Sequence, residues 1–215
     1  MPQVKQNIRV RFSKQGDVRF ISHHDLMRLF DRALRRAGLP VAMSEGHNPR
    51  PRLSFPMALS VGFAGRNEVA DIGLREWVRP AELRLRLQAE LPEGIGILSV
   101  QITDAHPSRQ PTELACRVPL LPGHSVTEAR IQKFLSARDV TVKRTREDGV
   151  KELEVRRFVK GIRLDGNSLQ MLLRCTDAGT ARPEEIMEAL GCREGTDYTK
   201  GQIERTYVDL SAHDD

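Results

Sequence analysis

The side chains best suited to chemistry in this 215-residue chain are arginines spaced by prolines in one short loop, residues 44–55. Each proline fixes φ and removes an amide donor, and the residue before a proline is disfavoured in helix. The spacing predicts an extended, pre-shaped backbone whose guanidinium groups suit phosphate or carboxylate groups. The predicted anion-binding residues of this loop are Asn48, Arg50 and Arg52, and the residues predicted to shape it are Gly46, Pro49 and Pro51. A strand-to-strand turn with solvated arginines is the alternative interpretation.

A helix predicted to begin at Ser22 adds further arginines and two histidines. Ser22 and Asp25 resemble a capping box, apolar residues follow at spacings of three and four, and Gly38 is predicted to end the helix. The face turned away from the apolar stripe carries His24, Arg28, Arg32 and Arg35. This surface is a second candidate for binding anions.

The two adjacent histidines are the candidates for acid–base chemistry. His24 lies beside arginines, whose positive charge disfavours the imidazolium, so it is a candidate general base. His23 lies nearer the apolar edge, where a packing role is expected. For each histidine a structural or solvated role stays open, and Asp31 is expected to pair with Arg35 as ordinary helix support.

Charge is concentrated at the start of the chain. Residues 1–60 contain eleven Lys or Arg against four acids, although the whole chain is only +5. Arginine outnumbers lysine there, which favours forked recognition of phosphate. An anionic partner is expected, and RNA is the predicted one, with a solvated basic face as the alternative.

The fold class predicted is α+β, built from two ferredoxin-like β-α-β-β-α-β units that arose by duplication. The first unit, residues 1–106, has strands predicted near 8–12, 41–43, 54–74 with a turn near Gly65-Arg66-Asn67, and 97–103, with a second helix begun by Pro80. It contains the loop and the basic helix. The linker is predicted within the polar, proline-bearing stretch 106–111.

The second unit, residues 112–215, repeats the same order. Strands are predicted at 115–121, 140–144, 153–164, 169–175 and 203–210, with a hairpin turn at Asp165-Gly166-Asn167. Ser125 with Glu128 forms a second capping box, and Pro183 opens a helix. Ser22 maps to Ser125, and Arg79-Pro80 maps to Arg182-Pro183, both 103 residues later, which favours a duplication. Shared helix-start signals are the alternative.

The sequence lacks the motifs that mark several classes of protein. Cys116, Cys175 and Cys192 are too widely spaced for a disulfide framework or a metal site, so buried, reduced thiols are predicted and no cofactor or metal is expected in this chain. No apolar run approaches the ~18 residues of a membrane span, and the start of the chain resembles no signal peptide, so the expected location is cytoplasmic. A phosphate-binding glycine loop and a nucleophile elbow are also missing.

Four segments carry a resemblance to a known family: residues 10–14, 19–28, 32–40 and 44–55. They resemble the bacterial radical-SAM-linked domain of unknown function, which is encoded beside or fused to radical SAM proteins. The resemblance is close over residues 8–75, where Asp71 matches a typical acidic position, and the second half matches in outline. His24, His47 and Arg50 depart from the family pattern, whereas His23 keeps the family position.

The resemblance implies a radical SAM protein as partner. Such an enzyme needs three closely spaced cysteines for its iron–sulfur cluster, which this chain lacks, so the partner is expected to be a separate polypeptide. The leading hypothesis is a non-catalytic RNA-associated module that docks to, or presents substrate to, this enzyme. Its phosphate contacts would come from the arginines of the helix and the loop.

Two alternatives stay open. The first is a metal-independent endoribonuclease resembling the CRISPR repeat-processing proteins, in which His23 or His24 takes the 2′-hydroxyl proton and Arg28 or Lys14 stabilises the phosphorane. The second is a protein-docking adaptor whose arginine face meets an acidic patch on the radical SAM protein. The RNA species, the modification and the oligomeric state are not predicted.

Overall fold

The computed structural model describes residues 4–45, 47–103, 110–146 and 149–210. The chain divides between Gln110 and Pro111 into two compact units, each combining helices with antiparallel strands. The first unit consists of β1 (Gln6–Lys14), α1 (His23–Arg36), β2 (Leu53–Ser54), β3 (Ala64–Leu74), α2 (Pro80–Glu90) and β4 (Ile95–Ile102). The second consists of β5 (Glu113–Pro119), α3 (Glu128–Ser136), β6 (Thr141–Arg146), β7 (Gly149–Glu154), β8 (Val159–Asp165), β9 (Ser168–Arg174), α4 (Pro183–Ala189) and β10 (Glu204–Asp209).

The first unit is organised around β1, which pairs antiparallel with β3 on one side and β4 on the other, while β2 pairs with the opposite edge of β3. Alternate residues of β1, including Ile8, Val10 and Phe12, are buried. They form one core with Phe30 of α1 and Leu83 of α2. Both helices therefore cover the same face of this sheet, and the period-two pattern of the sequence predicted that face.

The capping prediction for α1 is confirmed. The Ser22 hydroxyl accepts the Asp25 N–H at 3.1 Å and donates to the Asp25 carboxylate at 2.7 Å. The hydrogen bond to Ser22 is the main reason why the pKa of the Asp25 carboxyl is lowered. Gly38 follows the helix with φ +61°, the left-handed conformation that closes many helices.

The predicted strand at 41–43 is reduced to two isolated bridges, Val41 with Leu74 and Met43 with Pro51. The predicted turn at Gly65-Arg66-Asn67 is wrong, because these residues lie inside β3. Gly65 serves a close approach, because a Cβ there would overlap with Cγ of Glu68. A glycine required by packing produced the same sequence signal as a glycine required by a turn.

The second unit has the strand order β10-β5-β9-β8, all antiparallel. The predicted hairpin at Asp165-Gly166-Asn167 is confirmed, with Gly166 at φ +56° between β8 and β9. The predicted single strand at 153–164 is interrupted by a 3-10 turn at Arg156–Phe158. The residues before this turn belong to a separate two-stranded hairpin, β6 with β7.

Of the two helix-start signals that repeat after 103 residues, the Arg-Pro signal begins a helix in both units, and the serine capping box begins a helix in the first unit alone. Pro80 and Pro183 each occupy the first turn of a helix that follows an arginine. The prediction of a capping box at Ser125 is wrong. The N-cap of α3 is Thr127, whose hydroxyl accepts the Arg130 N–H at 3.3 Å. Ser125 instead donates its N–H to the buried carboxylate of Asp197, a long-range contact that no local pattern reveals.

The three cysteines are buried and none is joined in a disulfide to another described residue, in agreement with the prediction of buried, reduced thiols. Burial raises the pKa of the Cys175 thiol and raises that of Cys192 to about 11. Across the described ranges, no helix combines the length and apolar character needed to cross a membrane. The described residues also include no group of three His, Cys, Asp or Glu side chains placed to hold a metal ion.

Candidate anion-binding site

The Pro/Arg loop, residues 44–55, is closed at its base. The Ser44 N–H donates to the Arg50 carbonyl and the Arg52 N–H donates to the Ala42 carbonyl, both at 2.7 Å. The Ser44 hydroxyl accepts the Arg50 N–H at 2.9 Å. The loop is also joined to β3, because the Arg52 carbonyl accepts the Gly73 N–H at 2.8 Å. These hydrogen bonds hold the backbone at the base of the loop in place, which lowers the entropy cost of binding.

The predicted anion-binding side chains of this loop, Asn48, Arg50 and Arg52, are all exposed. Within the described part of the chain, none of the three side chains makes a hydrogen bond or an ion pair. Pro49 is exposed and Pro51 is half-buried at the loop base. Gly46 lies outside the described residues. Both loop guanidinium groups therefore keep all their N–H donors available for an anion.

Arg52 lies on the sheet face that is turned away from the helices. A Cβ built on Gly73 would lie 3.1 Å from the Cβ of Arg52. Gly73 alternates with Ile72 and Leu74, which belong to the core beneath α1 and α2. Since successive strand residues point to opposite faces, Gly73 and Arg52 share the outer face.

The same outer face contains an arginine that the fold uses. Arg9 of β1 lies opposite Asp71 of β3 and binds its carboxylate with two hydrogen bonds, at 2.8 and 2.9 Å. The two side chains are only 13% and 3% exposed. Asp71, an acidic position typical of the resembled family, is thereby assigned a structural role, and Arg9 is not available to a ligand.

The outer face of α1 is exposed as predicted, but most of its arginines have acidic partners. Nη1 of Arg28 lies 3.4 Å from Oδ1 of Asp25. Nε of Arg35 lies 2.8 Å from Oδ1 of Asp31, and this is the pair predicted as helix support. Arg32 has no such partner among the described residues. Arg28 and Arg32 line an open groove of about 640 Å³ beside the end of α2.

The helix and the loop meet through aromatic packing. The Phe55 ring, at the end of the loop, lies 5.2 Å from the Phe30 ring and 5.8 Å from the Phe12 ring. This contact anchors the loop to the core. The arginines are not brought together in the same way, because Arg52 lies on the sheet face opposite α1.

The structure separates the two histidines by environment. The His23 ring packs edge-on against Phe55 with centroids 5.8 Å apart, and burial, His24 and Lys14 together lower the pKa of His23. His24 is exposed on the outer face of α1. His23 is therefore neutral near pH 7 and its ring is fixed by packing, as its predicted position near the apolar edge implied.

Lys14 is buried, which the sequence analysis missed. Its side chain is 1% exposed, and Nζ donates to the carbonyls of Arg19 and Ile21, at 3.3 and 3.0 Å. It therefore ties the segment before α1 to the end of β1. The signal that could have revealed this is the alternation of β1, in which Lys14 follows Phe12 at the spacing of the buried face.

Comparisons with known proteins identify a family. No curated protein matches the chain. One solved structure, described as "Crystal Structure of a Cbf5-Nop10-Gar1 Complex", contains a chain to which this one is similar, with 10% identity, a TM-score of 0.46 and 95% of this chain covered. This chain spans about half, 49%, of that chain's length.

The family model extends across both units. It matches residues 7–183, well beyond the range 8–75 in which the sequence resemblance is close, and its description is "Uncharacterized protein conserved in bacteria (DUF2344)". The prediction of a bacterial domain of unknown function is thereby confirmed. The chain belongs to this bacterial family.

Proposed function

We propose that this protein is a non-catalytic RNA-associated module that presents RNA to a separate radical SAM enzyme in the cytoplasm. The observation that carries the proposal is the Pro/Arg loop. Its base is held by backbone hydrogen bonds, and its two exposed arginines have no acidic partner among the described residues. Guanidinium groups bind phosphate oxygens in forked geometry, and phosphates dominate RNA affinity.

The proposal includes the duplicated ferredoxin-like architecture. It is supported by the strand order of the first unit, β4-β1-β3-β2, and by the order β10-β5-β9-β8 of the second, in which β6 and β7 are an added hairpin. In both units two helices alternate with these four strands in the same chain order. The helix starts at Pro80 and Pro183, 103 residues apart, also support it.

The partner enzyme in this proposal rests on the family resemblance. The cysteines of this chain are buried and far apart in sequence, so the iron–sulfur cluster of a radical SAM enzyme would be held by the other polypeptide. This chain would contribute docking, substrate presentation or both. The low aromatic content, 5%, favours shape and backbone contacts over base stacking.

The experiment is a binding titration with folded tRNA and ribosomal RNA fragments across a salt series. The wild type is compared with an Arg50→Ala, Arg52→Ala double variant. Loss of two phosphate contacts should weaken binding. It should also make the slope of the logarithm of the binding constant against the logarithm of the salt concentration shallower by roughly 1.4 to 1.8. The matched control is the double variant Arg84→Ala, Arg193→Ala, which removes two exposed arginines elsewhere. No RNA binding at low salt would contradict the proposal and leave the adaptor hypothesis, with the radical SAM protein as the sole partner.

A metal-independent ribonuclease is the second candidate, favoured by one observation: the lowered pKa of His23 keeps its imidazole in the basic form near pH 7. The burial of Lys14 weakens the predicted role of that ammonium at a phosphorane. Under this hypothesis a His23→Ala, His24→Ala variant loses RNA cleavage and keeps RNA binding. A purified wild-type sample that cuts no RNA would exclude the enzyme.

A further inference from the structure

The second unit contains a basic cavity that the charge count of the sequence did not indicate. An open cavity of about 420 Å³ lies where the end of α3, the 3-10 turn before β8 and the end of β9 meet. Its cationic lining residues, which define the basic cavity, are Arg138, Arg156, Arg157, Lys160 and Arg174. Among the described residues that line it, none is acidic.

Two of these cations serve the fold. Arg156 Nε and Nη2 donate to the Leu135 carbonyl at 3.0 and 2.9 Å, and Nη1 donates to the Val159 carbonyl at 2.8 Å. Arg156 thus satisfies a carbonyl in the last turn of α3. Lys160 forms an ion pair with Glu113 of β5. These contacts hold the wall of the cavity in place.

The other three cations are available. The Arg138 and Arg174 side chains are exposed and make no hydrogen bond or ion pair with any described residue. Arg157 is exposed, and its guanidinium carbon lies 4.6 Å from the centroid of the buried Phe158 ring. Stacking on an aromatic face restricts a guanidinium group without using its N–H donors.

The backbone beneath Arg157 is held by a carboxylate. The two oxygens of Glu154 accept the N–H groups of Arg156 and Arg157, at 2.7 and 3.1 Å. Glu154 and Glu113 are two acids in contact with this wall, and Glu113 pairs with Lys160. Three guanidinium groups that form no ion pair with a described residue line one concave space, which suits an anion with more than one negative charge.

We propose that the basic cavity binds a phosphate group through Arg138, Arg157 and Arg174. Three arginines that converge from separate elements can share the oxygens of one phosphate, and guanidinium–phosphate hydrogen bonds are among the strong ones. The phosphate comes either from a small phosphate ligand or from an RNA backbone. This site lies wholly in the second unit and does not depend on the role of the Pro/Arg loop.

The test compares two triple variants of the full chain. The cavity variant is Arg138→Gln, Arg157→Gln, Arg174→Gln, and the control is Lys133→Gln, Lys143→Gln, Arg163→Gln, which removes three exposed cations outside the cavity. Inorganic pyrophosphate is the small probe, titrated by calorimetry, and duplex RNA is the second probe. Both variants have the same net charge, so non-specific attraction changes equally.

The expected result is that the cavity variant binds at least one probe roughly tenfold more weakly than the control variant. A loss confined to pyrophosphate identifies a small ligand, and a loss confined to RNA identifies a backbone phosphate. Equal affinities of the two variants for both probes overturn the proposal. If the cavity variant does not fold, amide NMR shifts of the wild type decide the matter: pyrophosphate should shift residues 138, 157 and 174, and unchanged signals there also overturn it.

Discussion

The outer face of α1 and the Pro/Arg loop both present arginines to solvent, but the two regions differ in whether those arginines are paired with acids. Arg28 and Arg35 are paired with acids three and four residues away on the same helix. Arg50 and Arg52 have no acidic partner within the described residues. The number of arginines on a surface is therefore a poor measure of how many can bind a ligand.

The reason for the difference is geometric. A helix returns to the same side every three to four residues, so an Asp at that spacing reaches the arginine. The described residues of the loop are not helical, and Pro51 separates its two arginines, so neighbouring side chains have no such periodic contact. An exposed ion pair contributes only about 0 to 1 kcal/mol, but its carboxylate repels an incoming phosphate.

The largest expected effect concerns a third state of arginine, the buried pair of Arg9 with Asp71. Asp71→Asn leaves the Arg9 cation without its partner on the outer sheet face, so the free energy of unfolding should fall by about 3 kcal/mol. Urea denaturation measures this. Asp31→Asn, the same substitution in the exposed pair of α1, is the matched control and should cost less than about 0.5 kcal/mol. A similar loss in the free energy of unfolding for both variants would contradict the expected difference between the buried pair and the exposed pair.

Two double variants that remove equal charge test whether the loop arginines bind RNA more strongly than the paired arginines of α1. Arg50→Gln, Arg52→Gln should weaken RNA binding roughly tenfold, whereas Arg28→Gln, Arg35→Gln should weaken it less than about threefold, because the helix arginines are already paired. Fluorescence anisotropy at a fixed salt concentration gives both affinities. An equal loss of RNA affinity in the helix variant and the loop variant would show that pairing with an aspartate does not limit the binding of RNA by an arginine.

A smaller change should convert a helix arginine to the available state. Asp31→Asn removes the acceptor that lies 2.8 Å from Arg35, so the guanidinium gains free donors and the surface gains one positive charge. RNA affinity should rise about twofold, with a salt slope steeper by less than about 1. Asp165→Asn, which acts on the exposed pair with Arg163 in the second unit, is the control for added charge. An equal rise in both variants would show that net charge alone is responsible.

The smallest effect is the pH dependence contributed by His23. Its pKa in the folded state is lowered from 6.5, mainly by burial, so the unfolded chain takes up a proton before the folded one as the pH falls. This residue therefore destabilises the fold progressively below pH 6.5 and has no such effect above it. His23→Gln should reduce the loss of Tm between pH 7.5 and 5.5. An unchanged loss would mean that His23 does not titrate differently on folding.

Local signals in the sequence predicted much of the fold. The capping residues Ser22 and Gly38 bound α1, Pro80 and Pro183 open helices, and the turn at 165–167 joins two strands. Each signal acts through the conformation or hydrogen bonding of a few adjacent residues, so it is present in the sequence itself. The exposure of the arginines on α1 and in the loop followed from the same local patterns.

What only the tertiary structure decided depends on residues far apart in the chain. Arg9 is occupied by Asp71 across a strand pair, Ser125 is held by Asp197, and Lys14 is buried by the segment that folds over it. The basic cavity brings Arg138 and Arg174 together from separate elements. The sequence determined which side chains are charged and which local elements form. Strand pairing and packing determined which of those charges are buried, paired or available, because electrostatic partners are set by distance in space and not by separation in sequence.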